Sequence, residues 1–222
     1  MIREETTEDG STTFFNEEFK QCYHSKVGAY TEALGKYVIP CEIEKLAKEN
    51  ETIKILDVCF GLGYNSGVTI EKALAVNPNL KIEITGLEND PMILEKIKDL
   101  KVPESYVAVR EILSKLKDGI YENENIRIRI LIGDARKKIK EIPEERIYDA
   151  VFFDPFSPKE CPELWELSFI KEVVKRTKPG SFIATYSAAR VVKENFKNAG
   201  CEVSEGPKVG RRSGGVLASV FA

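Results

Sequence analysis

The chain has 222 residues, with 33 Lys/Arg against 36 Asp/Glu and 42% hydrophobic residues, which suits one domain with a sizeable core and excludes global disorder. No apolar run reaches bilayer-spanning length, so no membrane partner is expected. The acidic, polar start MIREETTEDGST is no secretory signal, which leaves a cytoplasmic protein as the expectation.

From the N-terminus, IREETTEDGSTTFFN (2–16) has an Asp9-Gly10 turn between Thr-rich flanks and predicts a small hairpin. AYTEALGKYVIPCEIEKLAKEN (29–50) has helical spacing that Pro40 bends or breaks. Residues 1–50 are therefore expected as a hairpin-and-helix extension of a main domain over 51–222. Beyond residue 50 the pattern alternates. IKILDVCF (53–60), KIEITGLE (81–88), IRIRILIGD (126–134), YDAVFFD (148–154) and SFIATYSA (181–188) read as strands. NSGVTIEKALAV (65–76), PMILEKIKDL (91–100), SYVAVREILSKLKDGIYE (105–122), ARKKIKEI (135–142) and PELWELSFIKEVVKRT (162–177) read as helices. RVVKENFKNAG (190–200) is a last helix, closed by Gly200.

Such alternation implies an α/β fold, with a mostly parallel sheet covered on both faces. CEVSE (201–205) and GVLASVFA (215–222) are separated by a loop too short for a crossover, so they pair antiparallel or not at all. Five parallel strands and a terminal antiparallel hairpin resemble the Rossmann-like class I methyltransferase sheet, a likeness of fold that supplies no function by itself.

In an open α/β sheet, ligands sit beyond the carboxyl ends of the strands. Four strand ends here are acidic or glycine-bearing: Asp57 with Gly61 and Gly63, then Glu88, Asp134 and Asp154. Glycines at 61 and 63 let backbone approach a ligand closely. Glu88 suits two ribose hydroxyls, and Asp134 an exocyclic adenine amine. No G-K-S/T follows the glycine turn, and Ser66 stands where a dinucleotide fingerprint has its third glycine, so a nucleoside without phosphates is favoured. The fourth strand end opens FFDPFSPKECPELW (152–165), where Pro155 and Pro158 stiffen the loop after Asp154 and Phe156 and Trp165 offer aromatic surface, an Asp-Pro-aromatic loop that suits a nitrogen as methyl acceptor.

Cysteines 22, 41, 59, 161 and 201 are odd in number, scattered and free of any C-x-x-C, so neither a disulfide framework nor a metal site is expected. Charge is uneven. Residues 171–222 hold ten Lys/Arg and four Asp/Glu, or +6, whereas 1–170 hold twenty-three and thirty-two, or −9. A basic C-terminal quarter can meet a polyanion or be a solvated face.

With GAYTEALGKYVIP, DVCFGLGYNS and DPFSPKECPELW together, the chain resembles the tRNA 5-methylaminomethyl-2-thiouridine methyltransferases, the methyltransferase half of the bifunctional enzyme MnmC. The family's F-x-x-x-Y-h-S…G…E segment matches Phe19, Tyr23, Ser25, Gly28 and Glu32, and its G-x-G-x-N matches Gly61, Gly63 and Asn65. Its D-x-F-x-P…W loop matches Asp154, Phe156, Pro158 and Trp165. Cys59 departs from the pattern, standing where the family usually has a glycine. No flavin-dependent oxidase half is matched, so a separate oxidase partner is an open expectation.

The resemblance implies S-adenosylmethionine as methyl donor and the aminomethyl group of a wobble uridine, in the anticodon region of tRNA, as acceptor. Its donor pocket would use Tyr23, Glu32, Phe60, Gly61, Gly63 and Asn65, with Glu88, Asn89, Asp134, Ala135 and Asp154. Asp154 would orient the amine and take its proton, with Tyr23, His24 and Glu32 as second candidates around the reacting centre. Phe156, Trp165 and Tyr186 would hold the base. Arg211 and Arg212, with Lys208, Lys171, Lys175, Arg176 and Lys178, would hold phosphates beside the Asp154 cleft. A spermidine-synthase-like aminopropyltransferase and a non-catalytic nucleoside-binding module stand as alternatives.

Overall fold

Residues 2–210 and 213–221 are described in a computed structural model of the chain. Strands β1 (Ile2–Thr6), β2 (Thr12–Asn16) and β3 (Gln21–Cys22) form a small antiparallel sheet. Asp9 ties its first turn to the following helix, accepting from Ser11 N at 3.0 Å and from Thr31 N and Oγ1 at 3.0 and 2.9 Å.

Helix α1 (Ala29–Glu32) runs on into a π-helical turn, Ala33–Val38, in which Ile39 N reaches back to Leu34 O. Such turns widen the helix by one residue and change which side chains share a face. Pro40 offers no amide to continue the helix. Glu42, at φ 54, reverses the chain into α2 (Ile43–Glu49).

The main sheet follows. In chain order its elements are β4 (Thr52–Val58), α3 (Tyr64–Val76), β5 (Lys81–Glu88), α4 (Pro91–Glu95), α5 (Val107–Leu113), β6 (Ile120–Glu122) and β7 (Ile126–Ile132). Then come α6 (Ala135–Lys138), β8 (Tyr148–Phe153), α7 (Leu167–Lys175), β9 (Thr177–Thr185), α8 (Arg190–Asn198), β10 (Cys201–Glu205) and β11 (Val216–Val220). The spatial order is β10-β11-β9-β8-β4-β5-β7-β6. The run β9-β8-β4-β5-β7 is parallel, and β11 pairs antiparallel with both β9 and β10. The sheet class expected from the sequence is therefore the one observed, with the terminal hairpin folded inward so that β11, not β10, meets β9. From β4 the chain builds outward to β5 and β7, then returns to place β8 on the other side of β4. That reversal opens a crevice at the carboxyl ends of β4 and β8.

Both sheet faces are apolar, as the two-residue period requires. Ile53, Ile55, Ile84 and Phe152 pack under α1 to α3, whereas Leu56, Val58, Val151 and Phe153 pack under α6 to α8. The expected helix over 105–122 is half right. Helix α5 ends at Leu113, and Asp118 and Gly119, at φ 51 and 74, make a tight turn into β6, which pairs with β7. Two left-handed residues in sequence suit a two-residue hairpin and end any helix.

Ser66 explains the missing third glycine. Its hydroxyl donates to Asp57 Oδ2 at 2.6 Å, beneath the start of α3. The close approach falls one residue later: a Cβ on Gly67 would stand 2.0 Å from the hydroxyl of Tyr106, which is wholly buried. Gly67→Ala is therefore expected to cost about 1–3 kcal/mol through overpacking, read as a lower thermal midpoint. An unchanged midpoint would show that Tyr106 has room to move.

Candidate active site

After β4 the chain leaves the sheet through Cys59, Gly61 and Gly63, all left-handed at φ 66, 54 and 75. Glycine takes this conformation freely, whereas a residue with a Cβ loses roughly 1–2 kcal/mol. Cys59, at φ 66, bears that strain. The turn is fastened to β5 by Phe60 N on Leu87 O at 2.9 Å and by Gly61 N on Glu88 Oε2 at 2.7 Å. Glu88 Oε1 accepts from Asn89 N and Asp90 N at 2.8 and 2.9 Å. Burial lifts the Glu88 carboxyl above its ordinary range, against the pull of these three N–H groups.

At the next strand end Asp134 caps α6 and is chelated by Arg136, with Nε on Oδ1 at 3.0 Å and Nη2 on Oδ2 at 2.7 Å. That guanidinium holds the Asp134 carboxyl below its usual range.

A cavity of about 740 Å³ opens over these ends, within the roughly 300–1,000 Å³ common for small-molecule sites. Residues from Asn16 to Ser25 roof it. Tyr23 lies across the glycine turn, 3.3 Å from where a Gly61 Cβ would stand, and its hydroxyl accepts from Asn16 Nδ2 at 3.3 Å. His24 shares a hydrogen bond with Thr13 Oγ1 through Nδ1 at 3.1 Å and meets Tyr64 edge-on. Burial pushes its pKa down to about 4, so it is neutral at physiological pH.

Asp154 sits at the crevice itself. Its Oδ1 accepts from the Tyr37 hydroxyl at 2.5 Å and its Oδ2 from Asn65 Nδ2 at 3.0 Å. One edge stays open to the cavity while protein surrounds the rest. Desolvation raises its pKa to about 7, with Tyr37 and Asn65 opposing the rise and Glu32 adding to it. Beside it, Lys36 and Glu32 form a buried ion pair, and Glu32 Oε2 also accepts from Ser25 N at 2.7 Å. Glu32 is nonetheless lowered: burial raises it, but Lys36 and the Ser25 amide outweigh burial.

Of the residues expected from sequence, Tyr23, Glu32, Phe60, Gly61 and Asn65 line this cavity from the first third of the chain. Glu88, Asn89, Asp134, Ala135, Asp154, Phe156 and Tyr186 line it from the later strand ends. Gly63 stands behind, at the N-cap of α3. Trp165 does not face the cavity: it is 2% exposed, packed on Phe153, with Nε1 donating to Phe156 O at 2.8 Å. Its indole braces the loop and is not free to stack on a base. Phe156 is itself stacked on Phe19, centroids 4.7 Å apart.

Lys175, Arg176 and Lys178 do not flank the cleft. They lie where β9 begins, at the amino end of the parallel strands, opposite Asp154. Arg176 is buried on Ile142 O and Glu172, Lys178 pairs with Asp149 at 3.2 Å and Lys175 with Glu144 at 2.5 Å. Lys171 is exposed on α7. Arg211 and Arg212 lie outside the described residues. Their flanks reach the cleft side: Val209 packs over Gly35, and Gly215 lies against Thr185 O at the carboxyl end of β9. Sequence reasoning missed Tyr37 and Lys36. Six residues of π-helix turn them toward the strand ends, and no residue pattern announces a π-turn.

The residues present suit S-adenosylmethionine. The strand ends present carboxylate acceptors, Glu88, Asp134 and Asp154, to the cavity, which suit hydroxyl and amine groups rather than a phosphate. Among the described residues no cluster of His, Cys, Asp and Glu is placed to hold a metal ion, and no helix is long and apolar enough to cross a membrane. Fold and strand ends together define a methyltransferase of the Rossmann-like class. A family model described as S-adenosyl-L-methionine-dependent methyltransferase matches residues 102–220, and the chain belongs to that family. Within it, the chain is related to the methyltransferase half of MnmC. The crystal structure of MnmC2 from Aquifex aeolicus superposes with a TM-score of 0.90 at 37% identity, over 100% of this chain and 71% of that one. An uncharacterized protein of Methanocaldococcus jannaschii is 35% identical over 96% of this chain and 58% of its own length. The tRNA 5-methylaminomethyl-2-thiouridine biosynthesis bifunctional protein MnmC of Acidovorax is 24% identical over 92% of this chain and 33% of the relative. The chain thus spans little more than half, or a third, of these two relatives. The O-methyltransferase TomG of Streptomyces achromogenes, at 15% identity and TM-score 0.52 over 87% of this chain and 90% of that one, shares the fold alone.

Two outcomes are expected from these contacts. Glu88→Ala removes the acceptor of three backbone N–H groups, so it should lower stability by about 1–3 kcal/mol as well as weaken donor binding. Calorimetry that finds donor affinity unchanged would take Glu88 out of the site. Asp154→Asn should raise the thermal midpoint at pH 8.5 and raise it less at pH 5. The sign follows from the folded pKa of about 7 against the ordinary 3.8. The proton favours the fold fully below pH 4, and that advantage is lost as pH rises through 7, leaving a desolvated charge that Asn lacks. A midpoint difference independent of pH would mean that Asp154 titrates normally.

Proposed function

We propose that this protein methylates the aminomethyl group of a modified wobble uridine in tRNA, with S-adenosylmethionine as donor. The single observation that carries the reading is Asp154, a carboxylate held by two donors at the mouth of the crevice, in a chain 37% identical to an MnmC2. When bound, the donor supplies a methyl group on a sulfonium, already electrophilic, so placement of the acceptor is what the protein must add.

Glu88 would take the ribose hydroxyls. Asp134 would take the adenine amine once it releases part of its hold on Arg136, and Ala135 would floor the base. Tyr23 and Phe60 would close the space around the glycine turn. An alkylamine is largely protonated at neutral pH, by comparison with lysine near 10.4. Asp154 would hold the ammonium, accept its proton and leave the lone pair facing the methyl group. The new N–C bond forms as the C–S bond breaks, with its electron pair going to sulfur. A base that titrates near 7 is matched to neutral pH, and Tyr37 keeps it from rising further. Phe156, braced by Phe19, and Tyr186 would guide the uridine. Arg211 and Arg212 would meet its phosphates. The bifunctional relatives' other activities are no part of the proposal.

Incubation with methyl-labelled S-adenosylmethionine and tRNA rich in aminomethyluridine should place label in RNA, recovered on digestion as the N-methylated nucleoside. An aminopropyltransferase would leave the tRNA unlabelled, and a binding module would turn nothing over. The pH profile of kcat/KM should rise through about 7, and Tyr37→Phe should move that limb upward, because it removes a donor that favours the charged carboxylate. Asp154→Ala should lower kcat by about 10²–10⁴-fold with little change in donor affinity. Turnover near the native rate in Asp154→Ala would overturn the assignment of Asp154.

A further inference from the structure

Holding an amine at Asp154 does not identify the ring that carries it. Gln21, the only glutamine in the chain, lies on β3 and lines the cavity from the roof. It is fastened to the loop after β8 and not to the strand ends at Glu88 and Asp134: its Oε1 accepts from Ser157 N at 2.9 Å. Ser157 follows Asp154 by three residues, between Pro155 and Pro158, and its carbonyl accepts from Glu160 N and Cys161 N at 2.8 and 3.0 Å. The same loop is pinned where the Tyr186 hydroxyl donates to Pro155 O at 3.0 Å. Phe19 and Tyr23, on either side of Gln21 in the chain, meet Phe156 with centroids 4.7 and 5.2 Å away, so roof and loop join in one aromatic-edged surface. A backbone N–H can only donate, so Ser157 N fixes which end of the Gln21 carboxamide is oxygen. With that oxygen engaged, Nε2 and its two N–H groups have no partner among the described residues.

We propose that Gln21 Nε2 donates to the C4 carbonyl oxygen of the acceptor uracil, with Ser157 N holding the carboxamide in that sense, so that Gln21 sets the choice of uridine over cytidine. The inference rests on the reading of the acceptor as an aminomethyluridine. A uracil has a carbonyl acceptor at C4, where a cytosine has an amino group that only donates. The C5 substituent is next to C4, so the group that reads C4 must stand beside the group that holds the aminomethyl nitrogen. Gln21, anchored on the loop that begins at Asp154, meets that need. A cytidine would bring donor against donor and leave both unpaired, the arrangement by which a site rejects an analogue most strongly.

Two synthetic anticodon stem-loops, with 5-aminomethyluridine or 5-aminomethylcytidine at the wobble position, test this on the full chain. Native kcat/KM should favour the uridine RNA by roughly 100-fold or more. Gln21→Glu keeps an oxygen for Ser157 N and puts an acceptor where the donor was. It should slow the uridine RNA and speed the cytidine RNA, so that the preference falls to a few-fold or reverses, with S-adenosylmethionine affinity by calorimetry unchanged. A Gln21 that only clasps roof to loop would leave the preference intact in that variant. Gln21→Met, which adds no charge, should slow the uridine RNA alone and serves if Gln21→Glu does not fold. The proposal is overturned by a native protein that methylates both RNAs equally, by a preference that survives the variants, or by equal slowing of both RNAs. A native protein that methylates neither RNA would overturn the aminomethyluridine reading itself, and the role of Gln21 with it.

Discussion

A carboxylate half out of water, gripped from two sides, is the constraint around which this molecule is arranged. Asp154 needs donors to exist as an anion at all in the crevice, and those donors come from segments far apart in the chain. Tyr37 belongs to the π-helical turn that precedes the main sheet and Asn65 to the first turn of α3. The segment before β4 therefore takes part in the site and is not an ornament on the sheet. Without it Asp154 would lose one of its two partners and the cavity would lose its roof. The grip sets basicity as well as position, because each donor favours the charged form while desolvation opposes it.

That requirement explains the strained and unusual geometry nearby. The π-helical turn costs some regularity of hydrogen bonding, yet it brings Glu32, Lys36 and Tyr37 to one side of the helix. The left-handed run after β4 bends the backbone away from the crevice, and Glu88 holds that bend with its carboxylate. Glu88 is therefore structural in the free protein before it touches any ligand. Asp134 is likewise engaged in the free protein, chelated by Arg136. Both carboxylates are held by backbone and guanidinium groups, so the cavity wall they form is shaped without a ligand.

The aromatic loop after β8 divides its labour. Trp165 and Phe153 anchor it in the core, and Phe156 rests on Phe19 at the rim. A loop fixed at its base holds Asp154 to a narrow range of positions, and placement of the reacting groups is what catalysis of a transfer from an already reactive donor requires. Positive charge is distributed by the same topology. Helix α7 runs antiparallel to its strands, so the cations at its end fall at the far edge of the sheet, where they are neutralised by Asp149, Glu144 and Glu172.

By itself the sequence determined the layer order, the parallel sheet and its closing hairpin, and the strand ends that carry carboxylates, since two-residue and helical periods are written residue by residue. It also marked the glycine turn and the D-x-F-x-P loop, because backbone conformations of that kind demand particular residue types. Tertiary structure alone decided the rest. Trp165 faces the core because distant Phe153 and Tyr186 enclose it, which its local pattern does not encode. Asp118 and Gly119 turn the chain back into β6 because β7 offers an edge to pair with. Lys175 and Lys178 sit far from the cleft because a periodicity tells which face of a helix is buried but not which end of the sheet it reaches. Tyr37 and Lys36 enter the site through a single shifted hydrogen-bond register, a choice made by packing against the sheet and left unmarked in the chain.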